Sequence, residues 1–154
     1  MRDQETMGVA ALISWLITAF VGLYLLAVWL IENDVTHRGV RSRLPGPVIF
    51  GHVLLALGGL VVWVIYLLSD AAMMAWTALG ILVLIAALGL TMFTRWIPVH
   101  RAFAAAASGP NSVLTEFDFP AERNFPVTVV VGHGLLASTT FILVLFTVLG
   151  VGTS

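Results

Sequence analysis

The sequence predicts an all-α integral membrane protein, an up-down four-helix bundle built from two similar helical hairpins. Three observations predict it. The 154 residues are 60% hydrophobic and 10% charged, with a mean hydropathy of +1.04, a composition of membrane proteins rather than soluble domains. Four apolar runs, at about 7–31, 47–68, 71–97 and 127–151, each reach the ~20 residues that a helix needs to cross a ~30 Å hydrocarbon core. A Gly-His pair followed by x-Leu-Leu-Ala stands near the start of two of them, at Gly51-His52 and Gly132-His133. No strand-like alternation competes, and in lipid a backbone without strand partners satisfies itself as helix. A single transmembrane domain over 1–154 is expected, with long loops at 32–46 and 98–126.

The first run follows Arg2, Asp3 and Glu5 and exceeds the ~7–15 apolar residues of a cleaved signal, so it is read as a retained span. It carries Trp15, Tyr24 and Trp29 and stops at Glu32-Asn33-Asp34. A loop with Arg38, Arg41, Arg43 and the turn signal Pro45-Gly46 leads to the second run. Pro47 suits its first turn, where a missing N–H has no partner to lose. Ser69-Asp70 is a tight connection to the third run, which ends in the interfacial group Arg95-Trp96-Ile97-Pro98. His100-Arg101 and the alanines 104–107 follow, suited to a short helix outside the hydrocarbon. Ser108 to Ser112 break it, and Val113 to Phe125 mix phenylalanines with charges as a loop lying on the membrane surface would.

The two long loops hold Arg38, Arg41, Arg43, Arg101 and Arg123, and the short turn holds none. The excess of basic residues on the cytoplasmic side of membrane proteins therefore places both loops inside and both termini outside the cell membrane. The repeat extends beyond Gly-His: Trp29, Ile31 and His37-Arg38 precede the first copy as Trp96, Ile97 and His100-Arg101 precede the second. Two hairpins running in the same sense are parallel repeats about an axis along the membrane normal.

Ionisable residues inside a bilayer are expensive and usually face the protein interior. His52 lies five residues beyond Pro47 and His133 six beyond Val127, which sets both roughly 7–9 Å below one surface. In an up-down bundle helices 2 and 4 form a diagonal, so the two imidazoles can face each other. Ala56 and Gly59 share the face of His52, and Ala137 and Thr140 that of His133; Gly51 and Gly132 precede them. The space these small residues leave suits close helix packing or a porphyrin. Six-coordinate haem iron takes one donor on each side of the ring, and two neutral imidazoles supply both without adding charge. Arg41, Arg43, Arg95 and Arg101 stand at the interface, where forked hydrogen bonds would meet haem carboxylates.

In these features the chain resembles the membrane four-helix b-type cytochromes, in which histidines on diagonal helices hold haem. The likeness covers the four helices and rests on Gly51-His52 and Gly132-His133. It implies one haem b with axial His52 and His133, exchanging single electrons with a quinone or a redox protein. Those families commonly carry two histidine pairs at different depths, whereas one pair lies inside the membrane here.

Other readings stand beside it. The histidines could serve only as hydrogen-bonding groups in a cofactor-free bundle that acts as a structural, assembly or interaction subunit, in a homo- or hetero-oligomer. They could also join His37 and His100 around zinc, copper or iron. Several classes lack their residues. There is no cysteine for disulfides, thiolate metal sites or thioether-bound haem. No Asp, Glu, Lys or Arg lies mid-span for a proton-coupled transporter, and no phosphate loop or HExxH motif occurs. The bilayer is the expected partner, nucleic acid is not, and no residue is assigned a catalytic role.

Overall fold

A computed structural model of the chain describes residues 2–35, 42–108 and 120–150. These residues form α1 (Arg2–Val35), α2 (Gly46–Ser69), α3 (Ala72–Ala107) and α4 (Val127–Val148), with a 3-10 turn at Ala121–Asn124 and no strand among them. All four helices are long and apolar enough to cross a membrane, so the protein is of all-helical, multi-pass type. Many of their residues are Val and Ile, which form helices indifferently in water. Hydrocarbon removes the alternative, because an unpaired peptide group has no water to bond.

The helix starts share one device. Pro45 and Pro126, both in extended conformation, precede α2 and α4, and each lies seven residues before a histidine. Pro45, rather than Pro47, is therefore the counterpart of Pro126, and Pro47 sits within the first turn of α2. At the other end Asp70 adopts a left-handed φ of 52° and returns its N–H to the Tyr66 carbonyl, which turns the chain into α3 within two residues. Helix α3 does not stop at Ile97. It runs through Pro98 to Ala107, and its 36 residues at ~1.5 Å rise exceed a ~30 Å core by several turns.

α2 packs broadly on α3 and α1 on α4, while α1 meets α2, and α3 meets α4, over smaller areas. The backbones of the diagonal helices stay apart among the described residues, and only side chains reach across. The bundle is thus two tight helix pairs laid against each other. In lipid such pairing rests on close fit and interhelical hydrogen bonds rather than on expulsion of water. Near one end Ala11, Trp15, Trp63, Ala78, Leu82 and Val144 interlock, and Ser14 Oγ and Thr140 Oγ1 tie α1 to α4 at 2.8 Å. Near the other end Trp29, Leu44 and Ile49 form a second cluster.

Gly59 makes room for the first cluster, since a Cβ there would stand 2.9 Å from Trp15 Cζ2 and 2.9 Å from Ile81 Cγ2. Gly59→Ala is therefore expected to destabilise the fold by ~1–3 kcal/mol through overpacking, outweighing a gain of about 1 kcal/mol in helix propensity. Thermal unfolding in detergent measures it; a raised Tm would show that Trp15 yields freely.

Candidate functional site

Between the two clusters the helix pairs stand apart and enclose a largely apolar cavity of about 750 Å³, within the ~300–1,000 Å³ usual for ligand sites. His52 reaches it from the α2/α3 pair and His133 from the α1/α4 pair. Their ring centroids are 6.4 Å apart and their planes inclined by 59°. Two imidazoles bound in line to one metal ion by bonds of ~2.0 Å place their centroids about 6 Å apart. The centroid spacing is of that order.

Each ring is positioned from the neighbouring helix. His52 Nδ1 lies 3.0 Å from the Ile85 carbonyl on α3. A carbonyl only accepts, so Nδ1 carries the proton and Nε2 keeps its lone pair. On α1 the Thr18 carbonyl approaches His133, but the buried Nδ1 makes no hydrogen bond of good geometry. One helical turn further on, a glycine clears each ring. A Cβ on Gly22 would lie 3.0 Å from His133 Cε1, and one on Gly89 3.2 Å from His52 Cε1.

Gly22 and Gly89, each set against an imidazole, carry no motif that singles them out. The available signal is that each stands seven residues before a tryptophan, Trp29 and Trp96, in a first and a third helix. Ala56 and Ala137 line the cavity as expected, together with Thr140. Gly51 and Gly132 do not: Gly51 faces Leu88 and Gly132 meets nothing within 4 Å. The room beside Gly59 holds Trp15, so there the close-packing reading applies. Arg43 lines a separate groove with Arg95, and Arg101 is exposed on the projecting end of α3. Arg41 and His37 fall outside the described residues. His100 stacks on Trp96, with centroids 5.0 Å apart. Among the described residues no three His, Cys, Asp or Glu side chains converge as a metal-ligand set, so a four-imidazole centre has no support there.

A polar tie closes one end of the cavity. Trp29 Nε1 donates to Ser42 Oγ at 3.0 Å, Ser42 Oγ to Glu122 Oε2 at 2.9 Å, and the Arg43 N–H to Glu122 Oε1 at 2.6 Å. Trp96 Nε1 donates to the Glu122 carbonyl at 3.2 Å. Glu122 is fully buried, and both indoles also line the cavity. The described end of the stretch expected to lie on the membrane surface packs against α1 and α3. Its marker in the sequence is the pair Pro120 and Pro126, which bracket the turn. Glu122→Ala strands the Ser42 hydroxyl and the Arg43 N–H and is expected to cost ~1–3 kcal/mol for each group that water cannot reach. Chemical unfolding checks this, and an unchanged midpoint would mean that the tie contributes nothing.

Comparison with protein-family models, curated proteins and solved structures finds no match for this chain.

Proposed function

We propose that the protein is an up-down bundle of two similar hairpins that holds one b-type haem between His52 and His133 and serves in membrane electron transfer. One observation carries the reading: two imidazoles, on different helix pairs, stand 6.4 Å apart across one apolar cavity. The glycine facing each ring supports it, since it leaves both imidazoles room beside the cavity. Haem, when bound, supplies a one-electron couple whose potential follows axial ligation and burial. The chain's own residues do the rest. The Ile85 carbonyl fixes the His52 tautomer, Gly22 and Gly89 leave each ring its place, and Ala56 and Ala137 keep the walls low. The Trp29–Ser42–Glu122 tie screens one end from water.

The cavity lining includes exposed residues of all four helices, Leu23, Leu57, Leu90 and Leu135. Such lateral openings suit an exchange partner that arrives through the bilayer, a quinone, better than a soluble redox protein. The orientation that fits is with the Arg-bearing loops in the cytoplasm of the cell. Protein purified from haem-replete cells tests the reading. One haem b per chain is expected; a folded but colourless preparation would leave a cofactor-free structural or assembly subunit.

A further inference from the structure

A second site lies on the outside of the bundle. Ser42, Arg43, Pro45, Thr94, Arg95 and Pro98 line a groove of about 540 Å³. Thr94, Arg95 and Pro98 follow Gly89 by five, six and nine residues, and at ~100° per residue this turns them away from the histidine cavity. The groove is therefore not the end of the haem site, and the role of Arg43 and Arg95 must be sought elsewhere.

Its backbone is held while its charges are free. The Arg43 N–H is anchored on Glu122, and the Arg43 carbonyl accepts from Arg95 Nη1 at 3.4 Å. Both arginines are exposed, and among the described residues neither guanidinium pairs with a carboxylate. Two guanidinium forks beside one groove match the oxygens of a phosphate. The depth is that of lipid headgroups, since Pro45 directly precedes the apolar α2 span. From the groove into the membrane, the outer face of α3 presents exposed Thr94, Thr91 and Ala87. Both threonine hydroxyls bond to their own helix, so that face meets an acyl chain with small side chains and no free donor.

We propose that this groove binds the phosphate of an anionic phospholipid, with Arg43 and Arg95 as its ligands and the outer face of α3 beneath the acyl chain. A free phosphate ion shares the headgroup chemistry and lacks the tail, which separates the two sources. The site does not depend on the haem reading.

The test is native mass spectrometry of the full chain in neutral detergent, with phosphatidylglycerol and phosphatidylcholine supplied equally. Wild type is expected to retain phosphatidylglycerol preferentially, and Arg43→Gln to lose about fivefold of that preference, as befits one basic group at a charged surface. Arg43→Gln keeps the backbone bonds of residue 43, so it tests the guanidinium without loosening the tie to Glu122. Arg95→Gln should act alike, and Arg101→Gln, on the projecting end of α3, should change nothing. Equal retention of both lipids, a preference that survives Arg43→Gln and Arg95→Gln together, or displacement by millimolar inorganic phosphate would each overturn the assignment.

Discussion

His133→Ala is expected to abolish six-coordinate haem binding while weakening the haem-free bundle less than His52→Ala does. An axial donor is lost, so affinity should fall by more than the ~10–100-fold that removal of an outer-shell partner costs at a metal site. The helix pair loses the packing of the ring on Gly22 but no well-formed hydrogen bond at Nδ1. His52→Ala should lose haem equally but also weaken the haem-free protein by ~1 kcal/mol, the usual net worth of a hydrogen bond such as that to Ile85. Haem titration followed by optical absorption, paired with thermal unfolding of the haem-free variants, separates the two effects. A structural role for the histidines predicts that both variants are destabilised alike and that there is no haem to lose.

The second large effect concerns positions that touch no cofactor in this account. Gly22→Leu and Gly89→Leu put several carbons where a single Cβ would already stand 3.0 Å and 3.2 Å from a histidine Cε1. The imidazole must swing aside or the helix must retreat. Overpacking of that kind costs ~1–3 kcal/mol, roughly 5–150-fold in haem affinity if it falls on the bound geometry. Leucine is also the better helix former by up to ~1 kcal/mol, so helicity should be kept. Gly22→Ala and Gly89→Ala should give smaller losses in the same order. Haem affinity measured beside far-ultraviolet circular dichroism decides it. Unchanged affinity in both leucine variants would mean that the glycines do not set the ring positions.

The membrane fold was readable because the bilayer imposes it: apolar runs of sufficient length have one way to satisfy their backbones. The four spans could be placed to within a few residues at most ends. The exception is α3, where Pro98 and the following polar residues suggested an end but the helix continues to Ala107. A proline removes one N–H and does not by itself unwind a helix whose flanking residues favour it. The meeting of His52 and His133 was readable from their equal depth, since rise per residue is fixed. What prepares them was not. Gly22 and Gly89 are two among 14 glycines, and only the three-dimensional neighbour of each, an imidazole from another helix, distinguishes it. Glu122 was hidden differently: in a loop of mixed Phe and charge, nothing local says which carboxylate will meet Ser42 across the bundle. The arginines show the same limit, since proximity to an interface is a property of position in the chain, whereas the direction in which Arg43 and Arg95 face is a property of packing.

The central claim is that one iron is shared by an imidazole from each helix pair. Near-infrared magnetic circular dichroism of the purified ferric protein reads axial ligands directly. The account predicts a single low-spin centre with the bis-imidazole charge-transfer signature. A high-spin, five-coordinate spectrum, or a low-spin spectrum with any ligand pair other than two histidines, would contradict it.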